Sequence, residues 1–220
     1  MRIRDRMLRH TDWILFTGCV VFFLAFPTID LKVSGLFYDH GFGWAKNEWI
    51  RAIYWLFAKI HFLVLLILLI LLVFYSVKSN VNARRASIYL FLVLLLGPGL
   101  AVNALLKNNS VGRPRPVQTI DFGGKAAFAP VFHYSGACKR NCSFVSGHAA
   151  IGFYLMAFFW IRRKKAWLYA GIALGSSVGL VRIMQGGHYL SDVIFAGWTV
   201  YFVCVVLSML LPKPTQQSTQ

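Results

Sequence analysis

Three short stretches of this 220-residue chain hold side chains whose types and spacing suit chemistry on a phosphate. In Arg182-Ile-Met-Gln-Gly-Gly-His-Tyr-Leu-Ser-Asp192, His188 and Asp192 are four residues apart. A helix beginning by Tyr189 places them on one face, within hydrogen-bonding reach. A carboxylate on one imidazole nitrogen fixes the tautomer and leaves the other nitrogen free to attack, as an oriented base or nucleophile requires. The alternative is an Asp–His pair that only fastens two helices. Gly186-Gly187 admits a tight turn and close approach of a ligand to the backbone. In Cys142-Ser-Phe-Val-Ser-Gly-His-Ala149, the residues Ser146, Gly147 and His148 fall at a predicted helix N-terminus. Unpaired amides and the positive end of the helix dipole favour an anion there, although a lone histidine at such a boundary also has structural uses. In Lys107-Asn-Asn-Ser-Val-Gly-Arg-Pro-Arg-Pro116, prolines restrict the loop that carries Arg113 and Arg115. Guanidinium forks held in this way bind phosphate bidentately. Standing alone, the segment reads by default as a basic loop touching anionic lipid.

The elements that position these residues follow from composition. Hydrophobic residues make up 58% of the chain and charged residues 14%, against roughly 45–50% and about 25% in soluble domains. Soluble, disordered, coiled-coil and disulfide-scaffold classes are thereby excluded. A formal charge of +16 raises the question of nucleic acid, but the chain has too little polar surface for such a partner. Six apolar stretches of membrane-spanning character lie near 13–28, 53–77, 87–106, 144–161, 166–181 and 190–211. Their continuity rules out a β-barrel. Cleavage of the first as a signal peptide is disfavoured, since Leu24-Ala-Phe-Pro-Thr28 offers no small-x-small site. The expected architecture is a single all-α membrane domain of six transmembrane helices over 1–220, with 213–220 a disordered tail.

Basic residues orient the bundle. Arg2, Arg4, Arg6 and Arg9, then Lys78, Arg84 and Arg85, then Arg162, Arg163, Lys164 and Lys165 all fall on one side. That side is read as cytoplasmic, with both termini there and loops 29–52, 107–143 and 182–189 facing outward. Trp13, Trp44, Trp49, Trp55, Trp160 and Trp167 lie near span ends, as interfacial anchors do. The loop 107–143 breaches the charge bias with Lys107, Arg113, Arg115, Lys125, Lys139 and Arg140. All three chemistry-bearing stretches therefore share the outward face. Asp121 and Asp192 are the carboxylates nearby, too few for a two-metal phosphatase. No metal or other cofactor is expected.

The order Lys-x-Arg-Pro, Ser-Gly-His, Arg-x5-His-x3-Asp resembles the type 2 phosphatidic acid phosphatase superfamily of integral membrane lipid phosphatases. The resemblance implies phosphoryl transfer without metal. His188 attacks phosphorus to give a phosphohistidine, Asp192 orients it, and His148 protonates the leaving oxygen and later activates water. Lys107, Arg115, Arg182, Ser146 and the Gly147 amide hold the phosphoryl oxygens, with Arg113 a further candidate. In the family six residues usually separate the lysine from Arg-Pro. Here seven separate Lys107 from Arg115 and five separate it from Arg113, so both arginines remain candidates. Val145 and Val181 replace the usual proline and serine without removing a needed group.

Gly97-Pro-Gly99, the double Arg-Pro, Cys138-Lys-Arg-Asn-Cys-Ser143 and Met184-Gln-Gly-Gly187 are most similar to bacterial lipid A phosphatases, the 4′-position group before the 1-position group. The implied partners are a phosphorylated membrane lipid and the bilayer of a bacterial inner membrane, with the site facing the periplasm. Phosphatidylglycerophosphate and undecaprenyl pyrophosphate present the same chemistry. An anion transporter prefers a site near the midplane among broken helices, and a non-catalytic lipid-binding protein has no use for His188 and Asp192. Cys138 and Cys142 lie in the outward, oxidising compartment and are expected to form a disulfide. A zinc site with His133 and His148 is the alternative.

Overall fold

The computed structural model describes residues 10–107 and 111–211. The first basic cluster and the expected disordered tail lie outside the described residues. Helix α1 (His10–Ala25) stops before Pro27, which lacks an amide hydrogen and bars helical geometry at the residue before it. The short α2 (Ile29–Gly35) leaves at 81° to α1. Helix α3 (Glu48–Val77) is started by Asn47, whose side chain accepts from the amides of Trp49 at 3.0 Å and Ile50 at 3.2 Å. Only 6% of its apolar window is buried, so α3 stands at the periphery with most of its surface available to lipid.

Helix α4 (Val81–Leu94), capped by Asn80, runs on as a π-helical stretch, Leu95–Leu106. Pro98 withholds a ladder donor there, and Asn103 Nδ2 donates to the Pro98 carbonyl at 2.7 Å. The segment expected as span four is broken. It consists of α5 (Gly147–Phe153), a 3-10 turn (Tyr154–Ala157) and α6 (Phe158–Arg162). Residues 147–162 rise about 24 Å at ~1.5 Å each, less than a hydrocarbon core of about 30 Å. Ala149, Ala150 and Ala157 are fully buried, so this segment is enclosed by other helices and needs no lipid-facing surface. Gly152 lets α5 approach α7 (Lys165–Met184) closely, since a Cβ there would lie 2.8 Å from the Gly175 Cα. Helix α8 (Leu190–Leu210) completes the bundle.

Among the described residues four helices are long and apolar enough to cross a membrane, or five if the bent α1–α2 pair counts as one span, against the six expected. Among the described residues there is no strand, only an isolated bridge between Thr119 and Ala126. Buried tyrosines tie the core together: Tyr89 donates to the Cys204 carbonyl at 3.0 Å and Tyr154 to that of Leu90 at 3.2 Å. A smaller apolar cluster, Phe42, Phe122 and Tyr189, ties together the loops that join α2 to α3, α4 to α5 and α7 to α8. Those loops carry the candidate site.

Candidate active site

Backbone bonds lace the three chemistry-bearing stretches together. Ser143 N donates to the Arg113 carbonyl at 2.9 Å, Cys142 N to that of Lys107 at 3.3 Å, Val117 N to that of Gly186 at 3.1 Å, and Ser146 N to that of Asp192 at 3.0 Å. A Cys138–Cys142 disulfide closes a small ring. Within it, the Asn141 carbonyl accepts from Arg115 Nη2 at 3.0 Å.

His188 precedes α8 and is fully buried. Its Nδ1 lies 2.7 Å from the Ser143 carbonyl and 3.6 Å from Asp192 Oδ2. A carbonyl can only accept, so Nδ1 carries the proton and Nε2 the lone pair. That Nε2 has no hydrogen-bond partner. Burial, opposed by Asp192 and reinforced by the Lys107 and Arg182 charges, pushes the His188 pKa down to about 3, so the ring is neutral. Sequence spacing pointed to Asp192 as the direct partner. The structure gives that contact to a backbone carbonyl and sets the carboxylate one step behind it.

Asp192 sits in a network that spacing could not reveal. It accepts from Arg113 Nη1 at 2.7 Å, Tyr189 N at 2.8 Å and the Ser143 hydroxyl. Arg113 also donates from Nη2 to Asp30 at 2.7 Å, from Nη1 to Ser191 Oγ at 2.8 Å and from Nε to the Ala129 carbonyl at 2.8 Å. Asp30 in turn accepts from the Ser191 amide at 2.9 Å and its hydroxyl at 2.6 Å. Arg113 and both carboxylates are inaccessible to solvent. Burial works against the Arg113 charge, but Asp192 and Asp30 overcome it and hold its pKa above the ordinary value. Arg113 was expected among the phosphate ligands. The structure turns it inward because every edge of its fork meets an internal acceptor.

The remaining cations are uncompensated. Lys107, 8% exposed, and Arg182, 6% exposed, lie within 4 Å of no carboxylate among the described residues. Burial, with the Arg115 and Arg182 charges alongside, lowers the Lys107 pKa to about 8, and burial lowers that of Arg115. Arg182 donates to Gln185 Oε1 and keeps Nε without a partner. Gly187 makes room for it, since a Cβ there would fall 2.2 Å from Arg182 Nη2. Ser146 caps α5, its hydroxyl accepting weakly from the Ala149 amide at 3.5 Å. His148 follows Gly147 in the first turn and lies within electrostatic range of Arg182, His188, Lys107 and Arg115. Its Nε2 is also unpartnered. The His148 ring stacks on Tyr54 of α3, centroids 4.6 Å apart.

Sequence reasoning thus missed Asp30 and Tyr54, which stand alone in apolar stretches without a motif around them. Among the described residues no group of three His, Cys, Asp or Glu side chains could hold a metal ion. His133 and His148 find no cysteine ligands, because Cys138 and Cys142 are bonded to each other.

A buried histidine thus stands among three cations, Lys107, Arg115 and Arg182, that form no ion pair among the described residues. The model of the PAP2 superfamily matches residues 86–215. The chain belongs to the PAP2 superfamily. It is 38% identical over 200 residues to the lipid A 4′-phosphatase of Francisella tularensis subsp. novicida, covering 87% of this chain and 90% of that one. It is 32% identical over 216 residues to the lipid A 4′-phosphatase of Rhizobium leguminosarum, covering 88% and 91%. Similarity to the lipid A 1-phosphatase of Rhizobium etli is 35% over 135 residues, covering 56% and 54%. No solved structure matches the chain.

Proposed function

We propose that this PAP2 enzyme removes the 4′ phosphate of lipid A by way of a phosphohistidine on His188. The observation that carries the proposal is the buried imidazole with Nδ1 bonded to Ser143 and a free Nε2, within electrostatic range of Lys107 and Arg182. In the first step Nε2 bonds to phosphorus as the ester P–O bond breaks, and His148 gives a proton to the leaving sugar oxygen. Lys107, Arg115, Arg182 and the Gly147 amide hold the phosphoryl oxygens, while Asp192 stabilises the cationic ring that forms. In the second step His148 takes a proton from water. The water oxygen bonds to phosphorus, the N–P bond breaks, and inorganic phosphate leaves. Arg113 and Asp30 act by fixing Asp192 and touch no substrate.

Six crossings fit this role, with residues 147–162 as the enclosed one and both termini cytoplasmic. Lys78, Arg84, Arg85 and the run Arg162–Lys165 then share the cytoplasmic side. His188, beyond the far end of α7, lies on the periplasmic side, at the outer leaflet of the inner membrane. The stronger likeness to 4′-phosphatases than to a 1-phosphatase, in extent of both chains, supports the position.

The test is purified protein given lipid A, phosphatidylglycerophosphate and undecaprenyl pyrophosphate side by side, with products resolved by mass spectrometry. Loss of the 4′ phosphate is expected, and preference for either other lipid overturns the substrate. His188→Ala should give no turnover and no alkali-stable phosphoenzyme. Label on His148 or Ser146, persisting in His188→Ala, overturns the mechanism.

A further inference from the structure

The His148 side chain makes no hydrogen bond to any described residue, yet the proposed chemistry needs it aimed at a leaving oxygen. Arg182 has the same difficulty: it is almost fully buried with no carboxylate partner and a single side-chain bond, to Gln185. One aromatic ring meets both. Tyr54 stacks on the His148 imidazole at 4.6 Å and 23° between planes, and the Arg182 guanidinium carbon lies 4.7 Å from the same ring centroid. Arg115 is also within electrostatic range of Tyr54. Tyr54 comes from α3, whereas His148 is on α5 and Arg182 on α7.

We propose that Tyr54 is a positioning residue that holds the acid His148 and the phosphate ligand Arg182 in register through its ring face. A π face attracts a guanidinium, and more strongly when the pair is desolvated, as it is for the buried Arg182. A carboxylate at this place would do so more strongly, but it would cancel the positive charge on which phosphate binding depends. Stacking likewise fixes the imidazole plane without occupying either nitrogen, so Nε2 keeps its proton-transfer capacity. The peripheral α3 thereby becomes part of the catalytic apparatus, and its outer end sets the distance between acid and ligand.

The inference rests on the phosphatase proposal, and three measurements separate the two. Turnover of lipid A, whose sugar oxygen needs protonation, is compared with that of p-nitrophenyl phosphate, which leaves unaided. Tyr54→Leu should lower kcat on lipid A about 10- to 100-fold, within the range ascribed to a general acid, and raise KM severalfold through Arg182. On p-nitrophenyl phosphate kcat should fall less than about fivefold, since attack by His188 needs no acid. Tyr54→Phe, which keeps the ring, should stay within about threefold of the parent on both. The double variant His148→Ala/Tyr54→Leu should show no lower kcat on lipid A than His148→Ala alone, because the acid function is already gone, while its KM stays raised through Arg182. Independently of turnover, calorimetry with inorganic phosphate should show weaker binding by Tyr54→Leu and parent-like binding by Tyr54→Phe. Equal losses on both substrates, additivity with His148→Ala, or Phe as damaging as Leu overturns the role of Tyr54. Failure of the parent to release phosphate from either substrate instead overturns the phosphatase proposal, and the calorimetric comparison then still decides whether Tyr54 seats Arg182.

Discussion

Arg113 and Arg115 are two residues apart, each followed by proline, and the fold treats them as opposites. Arg113 is sealed against Asp30 and Asp192, with its guanidinium also 4.1 Å from the Tyr189 ring centroid. Arg115 is half-buried, meets only a backbone carbonyl and the field of Tyr54 and Asp192, and joins Lys107 and Arg182 around the histidines. Electrostatic function here depends on where the carboxylates were placed. Two of them neutralise one arginine and build a rigid support, while none is spent on the other cations, which stay available to an anion.

The comparison breaks most visibly at Arg113. Arg113→Ala leaves Asp30 and Asp192 buried without a counter-charge, a loss of about 3–5 kcal/mol from a total that is usually about 5–15 kcal/mol. Detergent-solubilised protein should lose its sharp thermal transition, and activity with it. Arg115→Ala should fold with a parent-like melting temperature. It loses a charge-assisted bond of roughly 1.5–3 kcal/mol, which at 1.36 kcal/mol per decade is about a 10- to 100-fold fall in kcat/KM. Equal melting temperatures for the two variants would remove the distinction.

Lysine substitution sharpens it. Arg113→Lys cannot serve acceptors on four residues at once, whereas Arg115→Lys keeps the charge that phosphate meets. A drop in melting temperature is therefore expected only for the former, and a fall in kcat/KM of less than about tenfold for the latter.

How much of this was legible beforehand differs by residue. His148, Arg182 and His188 announce themselves by type and local spacing, and the charge asymmetry of the loops placed them on one face. The choice between the arginines was not legible, because side-chain direction in the 111–118 segment is fixed by pairing with Ser143 and Gly186. Asp30 was invisible for another reason. Its partners, Arg113 and Ser191, are 83 and 161 residues away in sequence. The stretch expected as span four was recognised as apolar, but its short, broken form within 147–162, with most of it buried against other helices, is not something composition reports.

A subtler difference lies in titration. Arg113 keeps its charge at all working pH values, while Lys107, lowered to about 8 by burial and by the Arg115 and Arg182 charges, does not. In the proposed role its charged form binds phosphate, so kcat/KM should decline as pH rises through about 8. Bound phosphate opposes deprotonation, placing the decline in kcat at higher pH. Lys107→Arg should remove this limb from the pH–rate profile. His188, already neutral above about pH 3, should contribute no acidic limb in the same range. The smallest effect expected is from chelation: EDTA should leave the rate on a soluble short-chain substrate unchanged, and loss restored by one metal ion would contradict cation-only stabilisation.

Asp30 and Asp192 also differ in when they are made. Synthesis runs from the N-terminus, so α2 enters the membrane region long before α8 exists. Arg113 follows next and can pair with Asp30 alone. The Ser191 amide and hydroxyl that complete the Asp30 coordination, and the carboxylate that backs His188, arrive only with the last helix. The last helix therefore supplies both the Ser191 groups that complete the Asp30 coordination and the carboxylate that backs His188.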